Sequence, residues 1–191
     1  ASCQAILQAW YPGQAGGKAV ADVLFGEYNP SGKLPVTFYK NVNQLPDFED
    51  YNMTGRTYRY FEGEPLYAFG HGLSYTTYTY GEVQAPATAK TDETIVVSVP
   101  VTNSGNMDGD EIVQLYLKKK GDEEGPIKTL RAFKRVHIPA GQTVNVELEL
   151  TPSQLEWWNP ATNSMNTHAG NYEVMVGGNS KDVKSVEIAL Q

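Results

Sequence analysis

The sequence predicts a mainly β protein, an antiparallel β-sandwich over its C-terminal part, preceded by a strand–helix–strand α/β unit. Three observations carry this expectation. After about residue 81 the apolar residues recur with period two in several separate runs. Glycine-, proline- and asparagine-rich turn signals separate those runs. Before residue 40, one helix-spaced apolar set stands between two short extended stretches.

The first stretch is Ala5-Ile6-Leu7-Gln8-Ala9-Trp10, a short apolar run ending at Pro12-Gly13 that suits a strand buried on both faces. Gly16-Gly17 then open a helix in which Ala19, Val20, Val23 and Leu24 share one side. Gly26 follows the last apolar turn, where a left-handed residue stops a helix. "NPSGKLPVTF" is turn chemistry leading into a second extended piece, Leu34 to Tyr39. A parallel pair with one crossover helix leaves sheet faces and edges uncovered, so this unit is expected to belong to a larger α/β domain.

From Met53 to Gly81 the chain is unusually aromatic, with Tyr58, Tyr60, Phe61, Tyr67, Phe69, Tyr75, Tyr78 and Tyr80 among glycines. Two readings compete. Tyrosine faces stack on sugars, and tyrosines also pack two structural units together while keeping their hydroxyls bonded. The position between two regions of different pattern favours packing.

Period-two alternation then takes over. Ile95, Val97, Val99 and Val101 form one run; Val113, Leu115 and Leu117 another; Val144, Val146, Leu148 and Leu150 the cleanest. Tyr172, Val174 and Val176, then Val186, Ile188 and Leu190, complete the set. About seven short strands with frequent turns indicate a sandwich of immunoglobulin or fibronectin kind. Trp157 and Trp158 are adjacent on a strand and must face opposite ways.

Composition narrows the function. The 191 residues carry a formal charge of -7 and a pI near 5.0, which argues against nucleic-acid and anionic-membrane partners. The basic run Lys118-Lys119-Lys120 is followed at once by Asp122, Glu123 and Glu124. One cysteine, Cys3, excludes an internal disulfide, and His71, His137 and His168 have no metal-ligand spacing. No metal and no cofactor is expected. The acidic clusters Asp47-Phe48-Glu49-Asp50, Asp108-Gly109-Asp110-Glu111 and Asp122-Glu123-Glu124 read as solvated loop acids. No nucleophile elbow, phosphate loop or dinucleotide fingerprint occurs, and "GQAGGKA" lacks phosphate-loop spacing. The expected number of catalytic residues in this chain is therefore none.

"YPGQAGGKAVADVLFGEYNPSGKLPVTF", followed by "GRTYRYFEGEPLYAFGHGLSYTTY", resembles glycoside hydrolase family 3 along the whole chain. The resemblance implies three parts: residues 1–40 as the C-terminal remnant of the family's α/β sandwich domain, residues 41–80 as an aromatic-rich connector, and residues 81–191 as a fibronectin type III-like β-sandwich. The "GRTYRYF" variant is similar to that of β-xylosidases, whereas β-glucosidases more often show "GYRYF". Members of the family work by a retaining double displacement with an Asp nucleophile and a Glu acid/base. Neither motif matches any position here, so the chain alone is expected to be inactive.

The resemblance further implies partners: upstream catalytic domains of the same protein, and an oligosaccharide in the intact enzyme. Within this chain, Tyr51, Arg56 and Tyr58 are the candidate substrate contacts, on a loop reaching the rim of the sugar site. The implied compartment is extracytoplasmic, periplasmic or secreted. Asn52-Met53-Thr54 is a glycosylation acceptor only in a eukaryotic secretory host. A free-standing carbohydrate-binding sandwich is the alternative of a different class, and the α/β start speaks against it.

Overall fold

The computed structural model describes residues 3–191. Ten strands form among these residues, in chain order β1 (Tyr78–Tyr80), β2 (Thr88–Ala89), β3 (Ile95–Asn103), β4 (Gly109–Lys119), β5 (Thr129–Ile138), β6 (Thr143–Leu150), β7 (Trp157–Asn159), β8 (Ser164–Asn166), β9 (Gly170–Gly177) and β10 (Val183–Leu190). One sheet has the order β1-β3-β6 and the other β2-β10-β9-β4-β5, with β7 and β8 as a small hairpin beside them. All pairings are antiparallel except β2 with β10, which run parallel. The sandwich begins at Tyr78, ahead of the boundary expected at residue 81, because β1 pairs with β3.

The core lies between the two larger sheets, where the predicted alternation is realised. Ile95, Val97, Val99 and Val101 of β3 meet Val113, Leu115 and Leu117 of β4, Val174 and Val176 of β9, and Ile188 and Leu190 of β10. Each such side chain, fully buried, contributes about 1.5–3 kcal/mol. Trp157 is 7% exposed and joins this core, while Trp158 is 56% exposed on the opposite face, as strand alternation requires.

The N-terminal part departs from its expected strand–helix–strand form. The helix α1 (Gly16–Leu24) is present and stops at Gly26, whose φ is 79°. Neither flanking run is a strand. Ala5–Trp10 has no ladder partner among the described residues. Leu34–Tyr39 pairs instead with the connector: Leu34 donates to the His71 carbonyl at 2.8 Å, and Phe38 donates to that of Tyr67 at 2.9 Å. A strand exists only where a neighbour supplies matching N–H and C=O groups, and for this segment the connector is that neighbour.

Uncovered apolar surface is concentrated in the same region. Sixteen of the 21 exposed large hydrophobic side chains among the described residues fall between Ile6 and Tyr75, including Trp10, Tyr11, Leu24 and Phe25. Patches of this kind mark an interaction surface. Among the described residues no helix is long and apolar enough to cross a membrane.

Candidate functional site

The aromatic connector wraps over β4 on the side away from the sandwich core. Tyr58, from the short helix α2 (Thr57–Tyr60), stacks on Phe69 with ring centroids 4.1 Å apart. Both rings meet Tyr116 of β4 edge-on, at 5.9 and 6.4 Å. Edge-to-face and stacked pairs add about 0.5–1.5 kcal/mol each beyond area burial. The Tyr58 hydroxyl accepts from the Leu130 amide at 3.0 Å. Below this triplet, Gln114 donates to the Gly70 carbonyl at 3.3 Å and to that of Gly178 at 2.5 Å, and accepts from Tyr116 at 2.6 Å. Burial pushes the Tyr116 phenol well up, so it remains a donor. The result is that β4 is buried on both faces, by the core on one and by the connector on the other.

A second tie is ionic. Glu111 is only 3% exposed and is the one charged side chain in the buried set among the described residues. Lys33, from the "NPSGKLP" turn, reaches it at 3.1 Å, and Tyr80 donates to it at 2.8 Å. Burial, reinforced by the Glu111 charge, pushes the Tyr80 phenol far above its ordinary value. Lys33 also donates to the Gly72 carbonyl at 3.2 Å. Gly178 leaves the room for this: a Cβ there would stand 2.6 Å from Glu111 Oε1.

This corrects the reading of Asp108–Glu111 as solvated loop acids. Glu111 is the buried counter-ion of Lys33. Asp110 accepts from Arg135 and His137, and although burial opposes it, those bonds hold its carboxyl below the ordinary range. Arg135 also donates to the Tyr28 hydroxyl at 2.7 Å, adding a further link between the modules. Asn29 completes the seam: it donates to the Asp108 carbonyl at 2.9 Å and accepts from Ser74 and the Tyr75 amide.

The three candidate substrate contacts sit at different depths. Tyr51 is 89% exposed, and Phe48 beside it 91%. Arg56 is half-buried and holds the loop's shape, donating from Nε to the Asn52 carbonyl at 3.0 Å and from Nη2 to the carbonyls of Asp47 and Asp50. Asp47 and Asp50 in turn accept from the amides of Glu49 and Asn52, forming two tight local turns. Tyr58 faces the other way, into the stack on Phe69. Thr57 sits between them at φ 55°, an outlier for a β-branched residue, and its amide donates to the Tyr39 hydroxyl at 2.8 Å. Backbone strain of this kind clusters at functional sites. Among the described residues no group of acids, histidines and cysteines is placed to hold a metal ion.

His71 lies in the same seam, stacked on Tyr67 at 5.3 Å. Burial, then the neighbouring Lys33 charge, holds its pKa below the ordinary 6.5, with Asp182 opposing. A depressed histidine means that the unfolded chain takes up the proton first. His71 therefore costs nothing above pH 6.5 and destabilises the fold progressively as pH falls from there to its folded pKa. Urea titrations at pH 7.5 and pH 5 should show this loss in the natural chain, and His71→Gln should reduce it. An unchanged pH dependence in that variant would contradict the assignment.

Comparison with known proteins agrees with this architecture. Residues 1–75 match the glycosyl hydrolase family 3 C-terminal domain, and residues 111–180 match a fibronectin type III-like domain. The chain belongs to the C-terminal region of glycosyl hydrolase family 3.

Among relatives, a xylan 1,4-beta-xylosidase of Xylanibacter ruminicola is 55% identical over 99% of this chain, which spans 22% of that protein. A periplasmic beta-glucosidase of Salmonella typhimurium is 38% identical over 97% of the chain and 26% of its own length. A solved β-glucosidase from Streptomyces venezuelae, in complex with D-glucose, superposes with a TM-score of 0.84 at 32% identity. It covers 95% of this chain, and the chain covers 26% of it. The chain thus spans about a quarter of the length of the relatives it matches, and the family 3 proteins it resembles carry further domains.

Proposed function

We propose that this chain is the C-terminal part of a retaining, exo-acting β-glycosidase that releases xylose from xylo-oligosaccharides outside the cytoplasm. The observation that carries this reading is the 55% identity, across 99% of the chain, to a xylan 1,4-beta-xylosidase. In this reading the nucleophile and the acid/base belong to the rest of the protein, and the uncovered apolar residues between Ile6 and Tyr75 are the surface on which that body rests. The loop from Tyr51 to Tyr60 reaches the rim of the sugar site. Tyr51 offers a free aromatic face there, Arg56 sets the loop's shape, and Tyr58 anchors the loop on the sandwich from behind.

Two assays test the proposal. The 191-residue chain should give no saturable turnover of a chromogenic β-xyloside. The full-length parent should hydrolyse that xyloside with a higher kcat/KM than the corresponding β-glucoside. Turnover by the chain alone would overturn the assignment of the catalytic carboxyls, and a glucoside preference in the parent would overturn the substrate.

A further inference from the structure

The open side of the sandwich carries a groove. β5 bonds only to β4 and β6 only to β3, so each turns an unpaired row of backbone N–H and C=O groups to the gap between the two sheets. The gap holds a groove of about 490 Å³, within the roughly 300–1,000 Å³ usual for small-molecule sites. Among the described residues one hydrogen bond joins β5 directly to β6, from Lys134 Nζ to the Glu147 carbonyl at 3.4 Å. At one end of the groove, Gln154 donates to the Arg131 carbonyl at 2.8 Å.

Its lining is mixed and balanced in charge. Arg131 and Lys134 belong to the β5 wall, Glu147 and Glu149 to the β6 wall, two charges of each sign. Arg131 is already committed, donating to the Glu156 carbonyl at 2.8 Å and lying over the Trp157 ring. The carboxylates of Glu147 and Glu149 have no hydrogen-bond or ion-pair partner among the described residues. They stand two residues apart on the same side of β6. Val96, directly across the ladder from Glu149, lies beside them and is 47% exposed. Phe133, 68% exposed, supplies the aromatic part of the lining.

A carboxylate only accepts hydrogen bonds, and an ammonium only donates them. A ligand for this groove must therefore bring donors and acceptors, carry no net charge, and present an apolar face to Val96 and Phe133. A sugar meets all three conditions, because its hydroxyls do both and its ring C–H groups make the apolar face. A backbone strand is the other occupant that free edges invite, and here it is opposed. The β4–β5 register shifts between Leu115 and Tyr116, so that Arg131 is the extra residue of a β-bulge, and Lys134, Glu147 and Glu149 charge the two edges. Bulges and edge charges are the devices that block strand addition. We propose that the groove between β5 and β6 binds an uncharged, β-linked xylo-oligosaccharide. The choice of xylose rests on the glycosidase reading above; the demand for an uncharged polyol does not.

Titration of the 191-residue chain with xylohexaose tests this, followed by the backbone amide signals in ¹H–¹⁵N NMR. The amides of residues 131–134 and 147–149 should shift saturably, with a Kd of about 1 mM or tighter. Replacing both acids, Glu147→Ala with Glu149→Ala, should weaken binding at least about tenfold, the ordinary consequence of losing charge-assisted hydrogen bonds. Both side chains are exposed, so this variant should keep the urea midpoint of the natural chain. No saturable shift in these amides, or an unchanged Kd in the folded double variant, overturns the site. Tighter binding of cellohexaose than of xylohexaose would overturn the choice of sugar. Shifts caused by a peptide of the β6 sequence, Thr143–Leu150, and not by xylohexaose would assign the groove to strand addition instead. A failed titration leaves the parent's hydrolysis of a xyloside unaffected, so the groove and the glycosidase assignment fail separately.

Discussion

Replacing Glu111 with alanine should destabilise the protein by about 3–5 kcal/mol, the usual consequence of leaving one member of a buried ion pair without its partner. The partner is Lys33, whose side chain is 14% exposed, and Tyr80 loses its acceptor in the same step. Urea unfolding at pH 7 measures the loss. Converting both ends at once, Lys33→Met with Glu111→Gln, should cost much less, because no charge is then left buried and the glutamine still accepts from Tyr80. A loss below about 1 kcal/mol for the alanine variant would mean that the pair is solvated in solution and that the "NPSGKLP" turn is not tied to the sandwich.

The second large effect belongs to Gly70. Its φ is 80°, and a Cβ there would stand 2.1 Å from Gln114 Oε1 and 2.8 Å from Gln114 Cδ. Gln114 cannot simply move aside, since it bonds Gly70, Gly178 and Tyr116 together. Gly70→Ala should therefore lose about 2–4 kcal/mol, from the left-handed backbone and the overpacking together. Gly121→Ala is the matched control. Its φ is 77°, but nothing lies within 4 Å of its Cβ position, so only the backbone part, about 1–2 kcal/mol, applies. Equal losses at the two positions would refute the close approach at Gln114.

What could be read from the sequence follows a physical rule: local patterns were legible, and long-range pairing was not. β6 was plain because Val144, Val146, Leu148 and Leu150 alternate with polar residues on a sheet with one wet face. β5 carries no such alternation, because its bulge at Arg131 breaks the period and its edge position leaves Phe133, Lys134 and Arg135 all exposed. The two runs flanking α1 look like strands by composition, yet a ladder needs a partner, and composition does not say where one is. Glu111 was hidden by its neighbours Asp108, Gly109 and Asp110, which look like a polar turn. Its counter-ion is 78 residues away. A signal was available, since Glu111 is in phase with Val113, Leu115 and Leu117, and the alternation carried back by one step puts it on the buried side of β4. The aromatic connector was legible as a packing element, but not that Tyr58 would be spent on it while Tyr51 stays free.

The double burial of β4 limits how family members of this kind can be recombined. An antiparallel sandwich ordinarily has one wetted side, and such a module can be cut at its linker and grafted elsewhere. Here a cut near residue 80 passes through a packed layer, stripping Tyr58, Phe69 and Gly70 from Tyr116 and Gln114 and stranding a carboxylate without its lysine. A transplantable cassette must therefore carry the segment from about Asn29 onward together with the strands, and a chimera joined at the apparent boundary would expose an interior.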